Sequence, residues 1–390
     1  MIYLDNNAST KMDPQVREEM NRASDLYGNP SSVHAEGRRA RRAVEEAREE
    51  VGRLVGAAAG EVFFTSGGTE ANAMAIHGAT AGSGGPVVRS AVEHPSVREA
   101  ADGTSRTRVA PVEPSGEMDP ARFAAAVLPG TRLVTVMAAN NEYGTIFPVA
   151  EISRRARAAS PGVLVHTDAV QAAGRIPSDF GAWEVDLLSL SAHKMHGPKG
   201  VGALVVRRGV ELATRTRGGG QEKGLRAGTE NTAAIVGFGV AARLARERLE
   251  IEGPAIASLR DRLERGILAT VSGTRLVGDR SPRLPNTSAI RFEGVSASTL
   301  LIRLDLEGVA VSTGSACSSG TLSASPAILA LGLSRDEAGE VIRFSLSRST
   351  TESEIHRTLS LLPAIVREIR GASTDGRVLE PAQAGWDAAR

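Results

Sequence analysis

Short runs of almost uninterrupted apolar residues, separated by turns and helical patterns, limit the folds that this chain can adopt. Strands that are apolar on both faces are typical of a parallel sheet covered by helices on both sides. Their alternation with helical patterns therefore predicts an α/β fold with a mostly parallel central sheet flanked by helices. The predicted strands span residues 62–65, 87–90, 133–138, 163–168, 187–191 and 201–206.

Helical periodicity and chain punctuation predict how the chain divides into domains. An apolar stripe at helical spacing predicts an amphipathic helix over 40–55, and a Glu-Gly-Pro sequence indicates a domain change near residues 251–253. Residues 371–390 lack apolar periodicity and are expected to form a flexible tail. The other predicted helices span 121–127, 149–159, 232–252, 255–271 and 352–370. The predicted domains are a large one, 16–252, and a smaller α/β one, 1–15 with 253–370.

Charge and cysteine content exclude several classes of protein. Lys and Arg total 46 and Asp and Glu total 45, a net charge of +1, which argues against a dedicated nucleic-acid binder. The single cysteine, Cys317, excludes an internal disulfide and a multi-cysteine zinc site and fits a reducing, cytoplasmic location. The N-terminus turns polar at Asp5, so no signal peptide is predicted, and no apolar run reaches the ~20 residues of a membrane span.

Two motifs lie where predicted strands end. Residues 63–70, Phe-Phe-Thr-Ser-Gly-Gly-Thr-Glu, lead from a strand into a helix. The backbone N–H groups around Gly68 and Thr69 can form an anion site, and the same loop can be a tight turn with a Thr cap. Asp168 ends a buried strand, where ligands bind in open α/β sheets, but an Asp there is equally typical of a helix cap.

Two further motifs carry reactive side chains. Lys194 follows an apolar strand, and a partly desolvated lysine suits Schiff-base chemistry; Lys199, in a Gly-Pro-Lys-Gly turn, is the competing candidate. His193 and His196 lack a third ligand nearby, so no metal site is predicted. Cys317 lies among small residues without apolar neighbours, which favours an accessible nucleophile over a buried structural thiol.

In number, order and spacing these motifs resemble those of the cysteine desulfurases, pyridoxal 5′-phosphate (PLP) enzymes of the class-V aminotransferase group. The likeness runs from residue 3 to about Arg348 and includes residues 28–34 and 226–231. Ser315-Ala316-Cys317 is similar to the flexible cysteine loop of the subgroup that serves iron–sulfur cluster assembly and other sulfur transfer. The resemblance implies the PLP-dependent transferase fold type I and a homodimer with shared sites.

The resemblance also implies cofactor-binding roles. Lys194 holds PLP as a Schiff base and then acts as the base at the substrate Cα, Asp168 keeps the pyridine nitrogen protonated, and His94 stacks on the ring and shuttles protons. Gln171 donates a hydrogen bond to the phenolic oxygen of the ring. The residues implied to hold the phosphate are Gly68, Thr69, Ser191, His193 and, from the neighbouring subunit, Thr229.

The implied reaction removes sulfur from L-cysteine. Asn141 and Arg348 bind the substrate carboxylate, and the Cys317 thiolate takes the sulfur as a persulfide, leaving L-alanine. The persulfide then passes to an acceptor such as an iron–sulfur scaffold or a sulfur carrier. Serines flank Arg348 where the family more often has a glycine and an aromatic residue, which leaves Arg343 as the alternative partner.

Three other functions are weighed against this one. A selenocysteine lyase uses the same machinery and is not separated from a desulfurase by the residues. An aminotransferase has no use for Cys317. A catalytically silent scaffold subunit of the same fold would lack Lys194 or Cys317, and both are present.

Overall fold

The structure is a computed structural model that describes residues 1–104, 106–278, 282–313 and 324–374. Within these ranges the strands are β1 (Ile2–Tyr3), β2 (Val62–Thr65), β3 (Val87–Ser90), β4 (Thr107–Ala110), β5 (Leu133–Thr135), β6 (Leu164–Asp168), β7 (Leu187–Ser191), β8 (Gly202–Val206), β9 (Thr274–Leu276), β10 (Thr287–Phe292), β11 (Val309–Ala310), β12 (Ser312–Thr313) and β13 (Val341–Ser345). The α-helices there are α1 (Pro14–Ala23), α2 (Ala35–Leu54), α3 (Gly68–Thr80), α4 (Pro95–Asp102), α5 (Pro120–Ala125), α6 (Val149–Ala159), α7 (Thr232–Thr270), α8 (Ala297–Leu306), α9 (Pro326–Leu329), α10 (Arg335–Ala338) and α11 (Glu352–Thr374).

The central sheet confirms the predicted α/β fold with a mostly parallel sheet. Its strand order is β2-β8-β7-β6-β5-β3-β4, with parallel pairing from β7 to β4 and antiparallel pairing of β8 with both β7 and β2. Since β2 is antiparallel to β8, it runs in the same direction as β7. The carboxyl ends of β2, β3, β6 and β7 therefore meet at one edge, where ligands bind in sheets of this kind.

The strands of this sheet pack into an extended apolar core. Val88, Val134, Val165 and Leu188, from neighbouring strands, are fully shielded from solvent within one hydrophobic cluster. The apolar stripe that predicted α2 is buried, with Val44 and Val51 in the same cluster, and the helix packs mainly against α7 and beside β2. Strands without exposed faces can carry apolar residues throughout, which is why the sequence predicted them without alternation.

Helix α7 differs from the prediction. It continues without interruption from Thr232 to Thr270, with Pro254 inside it, so the expected interruption near residues 251–253 is wrong. Pro254 removes one hydrogen bond to the carbonyl of Glu250, but both residues are exposed and water can satisfy that carbonyl. The domain boundary placed there stays a prediction.

A second, smaller sheet belongs to the C-terminal part of the chain. Its strand order is β12-β13-β10-β9, and β1 pairs separately with β11 in parallel. A second hydrophobic cluster joins Leu4 to Leu263, Phe292, Phe344 and Leu362. The first residues of the chain therefore pack with its C-terminal half. The predicted domain division also groups these two parts of the chain, and that division stays a prediction.

The C-terminal helix also differs in length from the prediction. Helix α11 ends at Thr374 rather than at residue 370, so the first part of the predicted tail, residues 371–374, is helical. The remainder of that tail, 375–390, lies outside the described residues.

Candidate active site

A cavity of about 290 Å³ opens at the edge where the strands of the central sheet end. The strands β6 and β7 and the first turns of α3 and α4 converge on it, because their carboxyl ends and N-termini share that edge. Its lining contains many of the residues singled out from the sequence. Those are Gly68, Thr69, His94, Asn141, Asp168, Gln171, Ser191, His193, Lys194 and Arg343.

Lys194 lies in a short 3₁₀ turn directly after β7. Its Nζ donates to the backbone carbonyls of Asn7, at 2.6 Å, and Ala8, at 2.8 Å. The N-terminal segment thus holds the lysine amine at the wall of the cavity. A primary amine presented in this way is the group that Schiff-base chemistry needs.

Asp168 ends β6 and is buried at the cavity wall. The backbone N–H of Val170 donates to its Oδ1 at 3.0 Å, and Asn72 Nδ2 donates to its Oδ2 at 2.8 Å. No helix lies between β6 and β7, a stretch that the structure describes in full, so Asp168 is not a helix cap. Its carboxylate accepts from the backbone of the turn that follows and lines the cavity.

Asn72 is a site residue that the sequence analysis missed. It is buried in α3 and lines the cavity together with Gly68. The signal that could have found it is its spacing, because residues four apart share one helix face. A polar residue one turn after a glycine-rich helix start therefore lies on the same side of the helix as those glycines.

His94 lies at the N-cap of α4. Its Nδ1 accepts a hydrogen bond from the backbone N–H of Ser96 at 3.1 Å and lies 2.7 Å from Ser96 Oγ. Burial lowers the pKa of His94, with Lys194 and Arg98 acting in the same direction and Asp168 against them. A neutral imidazole at the cavity wall results.

Glu93, next to His94, is a buried carboxyl that the sequence analysis did not identify. Its Oε1 accepts from Ser90 Oγ at 2.5 Å and from the backbone N–H of Met137 at 2.9 Å. Burial, with a smaller contribution from the negative charge of Asp168, raises the pKa of Glu93 to about 7. This group therefore holds a proton through the acidic range, immediately behind the cavity.

A different part of the cavity wall suits an anion. Gly68 and Thr69 begin α3, a helix of 13 residues, where unpaired N–H groups and the helix dipole favour negative charge. A Cβ at Gly68 would lie 2.9 Å from the Val170 side chain, so only glycine fits without displacement. Ser191 and His193 line the same cavity, and burial lowers the pKa of His193 to about 4, which leaves it neutral at pH 7.

The residues of this cavity fit PLP by their chemistry. A buried, hydrogen-bonded carboxylate suits a protonated pyridine nitrogen, the start of α3 with nearby hydroxyl groups suits a phosphate, and a lysine amine suits an aldehyde. Asn72 adds a buried Oδ1 that has no partner among the described residues, so the wall retains an open acceptor. His94 supplies a flat ring at the same wall.

Gln171 and Asn141 lie in the cavity wall but are engaged with the protein. Gln171 Nε2 donates to the Asn7 carbonyl at 3.0 Å, and its Oε1 accepts from Arg175. The Asn141 carbonyl accepts from Arg343 Nη1 at 3.0 Å. The backbone of Asn141 is thereby tied to β13, which carries Arg343.

Arg348 does not line this cavity. It lines a smaller neighbouring cavity of about 40 Å³ that also touches Lys194. Its guanidinium is paired with Asp13, and its Nη1 lies 3.5 Å from Glu252. Arg343, the alternative carboxylate partner, does line the larger cavity and donates to Asp5 Oδ1 at 2.7 Å. The substrate-binding role of either arginine stays a prediction.

Thr229 and Cys317 are the two remaining predicted site residues. Thr229 is exposed and does not line the cavity of its own chain, so its role across a subunit boundary stays a prediction. Cys317 lies outside the described residues, between Thr313 and Ala324. Ser325 Oγ donates to Glu142 Oε2 at 2.5 Å, which places Ser325 beside the residue that follows Asn141.

Membrane spans and metal clusters are both missing from the described part of the chain. None of its helices is both long and apolar enough to cross a membrane. Its side chains include no group of three or more His, Cys, Asp or Glu placed to hold a metal ion.

Comparisons with known proteins give the site a context. The model of the family Aminotransferase class-V matches residues 2–358. The cysteine desulfurase of Cereibacter sphaeroides is 46% identical over 388 residues, which cover 96% of this chain and 98% of that protein. Two solved structures are also similar. A NifS-like protein has a TM-score of 0.86 at 34% identity and covers 96% of this chain and 99% of its own. SspA, in complex with cysteine, has a TM-score of 0.78 at 32% identity, with 90% and 100% covered.

Proposed function

The chain belongs to the class-V aminotransferase family and is a cysteine desulfurase, and from that premise we propose how its own residues perform the reaction. The enzyme removes the sulfur of L-cysteine with PLP bound in the 290 Å³ cavity, and the sulfur passes to Cys317. L-Alanine is the other product.

The cofactor is held by side chains from one edge of the central sheet. PLP, when bound, supplies an electron sink for the negative charge that develops at the substrate Cα. Lys194 would bind it covalently, Asp168 would hold the proton on its pyridine nitrogen, and His94 would lie against its ring. Gln171 donates to its phenolic oxygen. The phosphate would be bound by Gly68, Thr69, Ser191 and His193 of one subunit and by Thr229 of a second subunit.

Proton transfer and sulfur transfer fall to different residues. With PLP bound, Lys194 Nζ would take the proton from the substrate Cα. The Cys317 thiolate then attacks the substrate sulfur, a bond forms between the two sulfur atoms, and the C–S bond breaks. The electron pair of the broken C–S bond stays with the substrate carbon, which is protonated and released in alanine. The step therefore needs no external oxidant or reductant.

The observation that carries this proposal is the convergence of Lys194, Asp168 and His94 on one cavity with the start of α3. These groups are far apart in sequence, and the fold brings them together at one edge of the central sheet. An amine, a carboxylate, an aromatic ring and an anion site are the groups that a pyridoxal ring and its phosphate require.

Arg348 is proposed to bind the substrate carboxylate together with Asn141. Asp13 is also paired with Arg248, at 3.1 Å, so it keeps a cationic partner when Arg348 is released. Arg343 has no such replacement: it donates to both Asp5 and the Asn141 carbonyl, and we assign it to holding that wall in place.

The partners and location follow from the proposed chemistry. A persulfide must leave Cys317 for an acceptor, and we propose a sulfur carrier or an iron–sulfur scaffold in the cytoplasm. The active unit is a homodimer, because Thr229 is exposed in its own chain and is assigned to the site of the other.

Production of alanine and sulfide from L-cysteine tests the proposal. Wild-type enzyme with a thiol reductant is expected to give equal yields of both, and Cys317→Ala is expected to retain PLP absorbance but to lose both. Cys317→Ala with full activity would contradict the persulfide step. A wild-type enzyme that binds PLP but does not act on L-cysteine would contradict the proposal that L-cysteine is its substrate.

A further inference from the structure

A continuous chain of hydrogen bonds joins two residues of the cavity wall, Asp168 and His94. Asn72 Nδ2 lies 2.8 Å from Asp168 Oδ2 and 2.9 Å from Ser96 Oγ. Ser96 Oγ in turn lies 2.7 Å from His94 Nδ1. All four side chains line the cavity, and they come from three elements: α3, α4 and β6.

The direction of the first two bonds follows from which atoms can donate. A carboxylate oxygen only accepts, so the amide nitrogen of Asn72 must face Asp168. The second proton of that nitrogen then goes to Ser96 Oγ. This orientation leaves Asn72 Oδ1 buried with no partner in the described part of the chain. An unpaired buried acceptor is costly, so the two donated bonds decide how the amide is turned.

The third bond has a fixed direction as a result. Ser96 Oγ already accepts from Asn72, and its own proton is free to point at His94 Nδ1. The backbone N–H of Ser96 donates to the same nitrogen at 3.1 Å. Two donors converge on Nδ1, which must therefore present its lone pair, and the ring proton is left to Nε2.

We propose that Asn72 and Ser96 are positioning residues that hold Asp168 and His94 in one hydrogen-bonded chain and fix His94 as the tautomer with its proton on Nε2. The tautomer rests on the contacts alone, whereas its use in catalysis rests on the proposed function. In that function, His94 exchanges protons through Nε2 only, and Asp168 keeps one carboxylate orientation.

The charges around His94 are compatible with a neutral ring. Asp168, from β6, favours the imidazolium, whereas Lys194, after β7, and Arg98, on α4 itself, disfavour it. Burial disfavours it further, so the pKa of His94 lies below its ordinary value. The hydrogen bonds from Ser96 act in the same sense, because they stabilise a ring without a proton on Nδ1.

Nitrogen NMR of full-length protein labelled with ¹⁵N-histidine tests the tautomer directly. The PLP-loaded enzyme and the same chain freed of PLP are both measured at pH 7, and the signals are assigned with His94→Gln. We expect His94 to show an unprotonated Nδ1 and a protonated Nε2 in both forms. A proton on Nδ1 in both forms would overturn the proposal, whether or not the enzyme acts on cysteine.

Substitutions at Ser96 separate positioning from general structure. Ser96→Ala keeps the backbone donor but breaks the chain, so we expect a mixture of His94 tautomers and a kcat about ten-fold lower, with KM for L-cysteine unchanged. Ser96→Thr restores the hydroxyl and should restore both. Ser178→Ala is the matched control, a buried serine whose Oγ donates to the Ile176 carbonyl away from the cavity.

The variant series has an outcome that contradicts the proposal independently of the wild-type spectrum. If Ser96→Ala folds and its His94 signals match those of Ser178→Ala, the hydroxyl does not set the tautomer. If Ser96→Ala lowers kcat while the His94 signals stay unchanged, the residue acts by another route.

Discussion

Two regions of the active site are built in different ways. At the edge of the central sheet, Asp168 and Lys194 are held mainly by backbone groups: Asp168 by the Val170 N–H and Asn72, Lys194 by two carbonyls of the N-terminal segment. On the β13 side, Arg343 and Arg348 are held by carboxylates from distant parts of the chain.

The difference shows what each region can do. The backbone partners, Asn7, Ala8 and Val170, lie in turns beside the sheet, and backbone groups cannot rotate away as side chains can. The sheet edge therefore presents a fixed site for a cofactor. Ion pairs between side chains can exchange, and Asp13 has both Arg348 and Arg248 as partners. We therefore expect the sheet edge to govern cofactor binding and the β13 side to govern substrate affinity.

Loss of the lysine should have the largest effect. Lys194→Ala removes the covalent link to the cofactor and the base at the substrate Cα, so we expect the visible absorbance of bound PLP to change and kcat to fall by ~10³-fold or more. Lys199→Ala, the competing lysine, should leave both near wild type. Absorption spectra and alanine assays measure the two effects, and the reverse pattern would assign the chemistry to Lys199.

Substitution of the two arginines should have effects of intermediate size, and the two effects should differ in kind. Arg348→Gln is expected to raise KM for L-cysteine by roughly 100-fold, because a charge-assisted hydrogen bond to the carboxylate is lost. Arg343→Gln should instead lower the melting temperature, since Asp5 is left without its partner. Steady-state kinetics and thermal unfolding of both variants measure this. If Arg343→Gln raised KM more than Arg348→Gln does, Arg343 would be the residue that binds the substrate carboxylate.

The buried Glu93 should have a smaller effect, which concerns the pH dependence of stability rather than catalysis. Its pKa in the folded state, about 7, lies above the ordinary value of 4.5. The folded state therefore binds this proton more tightly than the unfolded state, a contribution to stability that is complete below pH ~4.5 and is lost as pH rises through 7. The loss amounts to roughly 3–4 kcal/mol, since one pKa unit is ~1.4 kcal/mol.

Glu93→Gln keeps an acceptor for Ser90 and Met137 but has no proton to lose. We expect the free energy of unfolding of the wild type, measured by denaturant titration, to fall relative to Glu93→Gln between pH 4.5 and 7. A constant difference over that range would contradict a protonated Glu93.

The sheet edge could be predicted from sequence because its cause is local. Buried strands leave uninterrupted apolar runs, and polar residues that follow them must lie at the sheet edge. Strands β2, β3 and β7 span the predicted residues, and β6 and β8 differ by one residue at the start. Strand β5 ends at Thr135 rather than at residue 138, so the second half of that prediction is wrong. The sequence alone therefore identifies Asp168, Lys194 and Gly68 as residues of that edge.

Other features depend on contacts that no short stretch of sequence contains. The pairing of Arg348 with Asp13 joins residues 335 positions apart, and the apolar strand pattern says nothing about it. Pro254 indicated a helix end, but its exposure makes the lost hydrogen bond tolerable within α7. Glu93 becomes recognisable as a site residue only when the turn that contains it packs against the backbone of Met137.

The central claim is that the sheet-edge cavity, at Lys194, is where the cofactor and the substrate meet. Borohydride reduction of the PLP-loaded enzyme followed by peptide mass spectrometry tests it most directly, because reduction makes the lysine–PLP bond permanent. We expect the phosphopyridoxyl mass on Lys194, and prior addition of L-cysteine should diminish it. The same mass on Lys199 or any other lysine would contradict the account.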